Sequence, residues 1–255
     1  DCSGAVKRVA RTEHPSVEGE ESFFRPALLI LVGLFVTCWF AEAIGSPLPM
    51  FFLVWGPFLY WTFLRKPVHF SAKVLVLLGL VLEGPDERPG NGYWTAPFSP
   101  ANTVLFAGLK KWLYLPGGSF SLFLVLSLLL LSRAKRQTPW LRQGLISKES
   151  RHLMRAYLLG IGWLVLWGVL RGGKIQPMFW QLIQPVALGT TAFALLYAFR
   201  GIEDLRAYGT ILILVAITKG LIVGWVYFVV CRPLNIKPFY ATTHSDTVNF
   251  AAAFA

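Results

Sequence analysis

Charge is scarce in this sequence. Only 15% of its 255 residues are Asp, Glu, Lys or Arg, against about 25% in soluble domains. Acidic residues are the scarcer sign, 13 against 24 Lys and Arg. Cysteine is nearly absent, with three in the chain, which excludes a disulfide scaffold. Cys2, Cys38 and Cys231 stand far apart and fit no metal-ligand spacing, so they are read as unpaired thiols and no metal is expected. What remains is apolar: 55% hydrophobic and 15% aromatic residues, with 20 Phe and 10 Trp, and a mean hydropathy of +0.55. That apolar fraction excludes intrinsic disorder and argues against a water-soluble enzyme. The composition is that of an integral membrane protein. In such a protein a net charge of +11 marks cytoplasmic loops rather than a nucleic-acid surface, so no nucleic acid is expected.

The expected fold is all-α: a polytopic helical bundle of about seven spans with one interfacial helix. Residues 1–25 form a polar tail, and 26–255 form the transmembrane domain. The runs fall at about 26–44, 48–64, 70–82, 119–132, 156–170, 183–199 and 208–230. A last run begins near 246 and is truncated. Both ends of the sequence read as cut, so it is taken as the N-terminal part of a longer protein. No cleavable signal peptide is recognisable. The 70–82 run is short for a hydrocarbon core of about 30 Å and calls for tilt, local thinning or snorkelling by Lys73. Residues 83–103 read as a Pro- and Gly-rich loop, and 104–115, interrupted by Lys110 and Lys111, as a helix lying in the interface. With the N-terminus inside, the outer side holds only Arg88, Lys110, Lys111, Arg171, Lys174, Arg232 and Lys237. The inner side holds more than twice as many cations, which fits a cytoplasmic N-terminus.

Three constellations have the chemistry of an anion site. Lys219 lies near the middle of the 208–230 span, where a charge is costly and faces a bundle interior or an aqueous cavity. Beside it, Ala216, Gly220 and Gly224 form a four-residue repeat of small residues that a second helix can approach. Lys219 then either meets an anionic ligand or buried carboxylate, or forms a structural pair or snorkels. Arg171-Gly172-Gly173-Lys174 sets two cations beside a Gly pair whose backbone N–H groups suit a phosphate. The same residues also suit a helix C-cap with favourable dipole charges. Arg232, Lys237, His244 and Asp246 make the densest polar stretch, fitted to a phosphate or a sugar, while Ser245 or Asp246 equally serves as a helix N-cap. Gly160 and Gly162 are too few for a dinucleotide fingerprint and read as packing glycines.

From about 155 to 250 the chain resembles the bacterial O-antigen ligase and O-antigen polymerase family. The resemblance rests on Trp167-Gly168-Val169-Leu170-Arg171-Gly172-Gly173, on Phe179-Trp180-Gln181-Leu182-Ile183-Gln184-Pro185 and on Glu203-Asp204-Leu205-Arg206, in that order. It implies a multi-pass glycosyltransferase of the bacterial inner membrane. Such a protein joins undecaprenyl-diphosphate-linked glycans to another glycan or to lipid A core at the periplasmic face. It uses no cofactor or metal, because arginines neutralise the departing diphosphate. Arg171 maps onto the cation near that diphosphate, with Lys219 and Arg232 as weaker candidates; Lys174 and His244 join them as diphosphate- or glycan-binding candidates from their own setting, and His244 is not equated with the family's catalytic histidine. The family's catalytic loop lies in its C-terminal half, beyond Ala255. The implied partners are membrane lipids and the lipid-linked glycan, and a protein partner stays open. Two other readings compete: a non-catalytic membrane subunit or scaffold, and a polytopic transporter.

Overall fold

A computed structural model describes residues 23–45, 51–82, 98–107, 121–137, 148–228, 232, 233 and 235. Among them there is no strand, and eight α-helices and three π-helical segments make up nearly everything. α1 is Phe24–Ile44. α2 is Gly56–Tyr60, continued on both sides by π-helical turns, Phe51–Trp55 and Trp61–Arg65. α3 is Val68–Val81. α4 is Ser99–Asn102, running into a π-helical turn, Thr103–Ala107. α5 is Leu122–Gln137, α6 is Lys148–Leu170, α7 is Ile175–Ala198 and α8 is Ile202–Val226.

These helices are apolar on faces that meet no described part of the protein. On α1, Ala27, Ile30, Leu31, Leu34, Cys38 and Ala41 are buried in a stripe of helical period. The rest of α1 is just as apolar and stands outward: Leu28, Leu29, Val32, Phe35, Val36, Trp39 and Phe40 are all exposed. α6 is the extreme case, with no buried residue at all. A helix that is hydrophobic all round belongs in a core or in lipid, and here no described part of the chain covers it. α1, α6 and α8 each contain an apolar window of at least 18 residues, long enough to cross a membrane. The described residues form an all-helical, membrane-embedded bundle. Cys38 is buried in the bundle.

The short 70–82 run has a different explanation from those expected. α3 has 14 residues and so spans only about 21 Å. It lies at the centre of the bundle, in contact with α5, α7 and α8. Ala72, Val74, Leu75 and Leu77 are fully enclosed. A helix walled by protein has no need to match the bilayer thickness. Nor does Lys73 snorkel; its ammonium turns inward to a carboxylate, described below. Tight approaches fix the neighbours. A Cβ on Gly79 of α3 would stand 2.9 Å from the Phe123 ring of α5, and Ser127 of α5 is hydrogen-bonded to Thr191 of α7 at 2.8 Å.

Several boundaries differ from expectation for local reasons. α5 starts at Leu122 because the Ser121 hydroxyl accepts from the Leu124 amide at 3.1 Å, an N-cap. It continues past residue 132 to Gln137, with Lys135 and Arg136 in its last turn, where the helix dipole favours cations. α6 takes in the basic residues Arg151 and Arg155, which the charge pattern alone assigns to a loop. α7 runs through Pro185, because its flanks are held by packing on α5 and α6. The 99–102 stretch is helical rather than loop, with Pro100 in its first turn. Gly160 and Gly162 mark no close approach among the described residues: a Cβ at either would meet none of them within 4 Å. The close contact between α6 and α7 falls at Gly189 instead, where an added Cβ would stand 2.7 Å from the Tyr157 ring. Of the expected interfacial helix, residues 108–115 lie outside the described residues, as does the run from 246.

Helix direction alternates through the bundle. Phe23 meets Phe70 edge-on at 5.7 Å, and Lys135 lies 5.9 Å from the Tyr197 ring. The starts of α1 and α3 and the ends of α5 and α7 therefore share one end. At the other end Phe106 stacks on Phe123 at 5.2 Å and Phe98 meets Phe35 at 6.4 Å.

Candidate functional site

The shared end is strongly basic. It carries Arg25, Arg65, Lys66, Lys73, Arg133, Lys135, Arg136, Arg200 and Arg206. Among the described residues one ion pair lies there: Lys73 Nζ and Asp204 Oδ1 are 2.8 Å apart, with side chains 13% and 5% exposed. The pair ties α3 to α8. Asp204 is available because α8 begins at Ile202, earlier than the expected 208. Its second oxygen accepts from the Arg200 amide at 2.8 Å, one residue ahead of the N-cap Gly201. Gly201, at φ 153°, makes the entry to α8, a conformation open to glycine alone.

Arg133 is the second organising cation. Pro67 has no N–H and forces Lys66 into an extended conformation, at φ −77° and ψ 157°. The helix ahead of it stops there, leaving carbonyls without partners. In a continuing helix the Phe63 carbonyl would accept from the amide of residue 67, which as proline lacks the hydrogen. The Arg133 guanidinium supplies it: Nη1 donates to the Phe63 oxygen, and Nη2 donates to the Lys66 oxygen at 3.0 Å. Ser71 Oγ donates to the Thr62 oxygen at 2.6 Å in the same way. Replacing Arg133 with Met is expected to lower stability by about 2–3 kcal/mol, the cost of leaving such carbonyls unpaired. Arg133→Lys should recover less than half of it, since an ammonium lacks the two-pronged reach. Thermal unfolding of both variants in mild detergent checks this; an Arg133→Lys protein as stable as the parent would rule out the fork.

Of the residues expected to bind anions, those described lie toward the opposite end, on α6, α7, α8 and the stretch after α8. Arg171 ends α6 and is exposed, its guanidinium 5.0 Å from the Trp167 ring centre. The turn after it is a Schellman cap: Gly173 N–H donates to Gly168 O and Gly172 N–H to Val169 O, each at 2.9 Å. Gly172 sits at φ 79°, as that cap requires. The two glycine amides are thus taken up by α6's own carbonyls and are not offered to a phosphate. This corrects the expectation of exposed N–H groups. An anion at this turn would not meet the glycine amides; the side chains it offers are those of Arg171 and of Lys174, the exposed N-cap residue of α7. Lys219 is half-buried on α8, which packs on α3 and α1, whereas α6 packs on α7. Arg232 is exposed, and its amide donates to Tyr227 O at 2.9 Å. His244 lies outside the described residues, as do Lys237, Ser245 and Asp246. The structure therefore gathers Arg171 and Lys174 on one turn, and places Lys219 on α8 with Arg232 just beyond its end. Gly220 and Gly224 have nothing within 4 Å of a built Cβ, so no described helix of this chain uses that face. Among the described residues no group of three or more His, Cys, Asp and Glu converges.

Sequence reasoning missed the Lys73–Asp204 pair and the Arg133 fork. A signal existed for the first: Asp204 and Lys73 are acid and base at the borders of two apolar runs on the same side of the expected topology. No protein family, curated protein or solved structure gives a match to this chain.

Proposed function

We propose that this chain belongs to an inner-membrane glycosyltransferase of the O-antigen polymerase or ligase type. Its Arg171–Lys174 turn would hold the diphosphate of an undecaprenyl-diphosphate-linked glycan on the periplasmic side, with the N-terminus in the cytoplasm. The observation that carries this reading is the placement of Arg171. It is a cation at the tip of a helix with no buried residue, resting on Trp167. Tryptophan favours the membrane–water interface, the depth at which a lipid diphosphate lies. A guanidinium there suits paired phosphates, and stabilising the departing diphosphate requires no metal.

The test is binding of undecaprenyl diphosphate, against undecaprenol, to the chain in lipid nanodiscs. Arg171→Ala with Lys174→Ala is expected to weaken diphosphate binding about tenfold, or 1.4 kcal/mol, and to leave undecaprenol unaffected. Equal binding of the two lipids, or an unchanged affinity in the double variant, would refute the assignment. A second reading, a non-catalytic subunit, is favoured by the open Gly220 and Gly224 face. It requires a helix of another protein on that face. A transporter would need a polar route across the bundle; the buried charges at its basic end are instead closed on each other.

A further inference from the structure

The basic end contains a cavity of about 580 Å³ between α1 and the Phe51–Arg65 segment. It is amphipathic along its length. Arg25 and Lys66 line it at the basic end of the bundle, and Leu29, Ile30, Val54 and Phe58 are among its apolar walls. Gly33 keeps its depth open: a Cβ there would meet only Trp55, at 3.9 Å. The Lys66 ammonium lies 4.3 Å above the Trp61 ring centre and 6.0 Å from that of Phe70. Arg133 and Pro67 fix the backbone that carries it. Among the described residues neither Arg25 nor Lys66 meets a carboxylate, since the one buried acid at this end, Asp204, is held by Lys73.

We infer that this cavity binds an anionic phospholipid, its phosphate between Arg25 and Lys66 and an acyl chain along the groove between α1 and α2. Two cations line one space, Arg25 exposed and Lys66 partly buried, with no described acid beside them, which suits an anion. The aliphatic and aromatic walls require hydrocarbon, which a free phosphate lacks. The position fits as well. Arg25 is in the first turn of α1, a helix long enough to cross the bilayer, so the cations stand at headgroup depth. Basic pockets between membrane helices are where anionic headgroups are held. The inference depends on the bundle being membrane-embedded. It is independent of the glycan reading, which concerns the other end of the bundle.

Native mass spectrometry of the chain, released from detergent after incubation with defined lipids, tests it. Phosphatidylglycerol should be retained about tenfold more than phosphatidylcholine of the same chains. Arg25→Gln with Lys66→Gln should abolish that preference while the thermal midpoint stays within a few degrees. Gly33→Leu leaves both cations and fills the groove; it should cut phosphatidylglycerol retention by a similar factor. Three results would each overturn the proposal. One is equal retention of the two lipids. Another is a preference that survives both variants. The third is competition by glycerol 3-phosphate at the same concentration as the lipid, which would mean that the site reads an anion without its tail.

Discussion

Replacing Lys73 with Met is expected to destabilise the bundle by about 3–5 kcal/mol, because it strands a buried carboxylate. Asp204 is 5% exposed and its side chain is too short to reach water. The opposite change should cost less. In an Asp204→Asn protein the amide oxygen still accepts from the Arg200 N–H, and the long Lys73 stem lets its ammonium move toward the headgroups. The two losses should not add: Lys73→Met with Asp204→Leu removes both charges, and replacing a buried pair by apolar groups is often near neutral. The double variant is thus expected to be more stable than Lys73→Met alone. Unfolding in mixed micelles, with all three variants in one cycle, measures this. A Lys73→Met protein within about 1 kcal/mol of the parent, the range of a solvated pair, would show that the pair sits in a wetter place than its burial implies.

Gly189→Val is expected to separate α6 from α7. The added Cβ would lie 2.7 Å from Tyr157 Cε1 and 3.1 Å from Cδ1, distances at which something must move. Overpacking of this kind costs about 1–3 kcal/mol. α6 has no buried residue, so the cheapest response is for the whole helix to shift outward rather than for the core to unfold. The Tyr157 hydroxyl, which donates to the Pro185 carbonyl at 3.1 Å, would leave with it. Spin labels at two outward positions, Leu159 on α6 and Leu188 on α7, report the shift. The distance distribution should lengthen and broaden in Gly189→Val and recover when Tyr157→Ala is added. An unchanged distribution would mean that the Tyr157 ring swings aside while the two helices keep their places.

The Gly189 contact also shows what could be read in the sequence and what could not. Hydropathy alone places the helices α1, α6 and α8, since each is a long apolar run with a polar border. It also gives the alternation of helix directions, because the cations cluster at one side of successive runs. Which glycine a neighbour touches is a matter of register between helices, and Gly160 and Gly162 have the same local sequence character as Gly189. The same holds for the site residues. The Arg171 turn is legible because a Gly pair after an apolar run is a helix stop. Its two readings, phosphate loop and C-cap, differ only in where two amides point, and the Schellman bonds decide that. Asp204 lies in a stretch that reads as an inner turn; only the early start of α8 puts its carboxylate against Lys73. Arg133 reads in the sequence as one more loop cation. Its role depends on Pro67, far earlier in the chain, and on a carbonyl that no residue pattern marks.

That dependence has a consequence for how the protein is made. The segment from Phe51 to Arg65 ends on the Phe63 and Lys66 carbonyls, which are satisfied by a side chain 70 and 67 residues further along. During synthesis this segment leaves the ribosome well before Arg133 exists. Until then those carbonyls, at headgroup depth, are solvated by water and lipid headgroups, and nothing ties the segment's end to the rest of the bundle. That end should stay at the membrane surface, or beside the insertion machinery, until α5 arrives and completes it. Truncating the chain just before Arg133 should then leave the first part of the bundle accessible to a water-soluble protease, whereas a chain extended a few residues past it is protected.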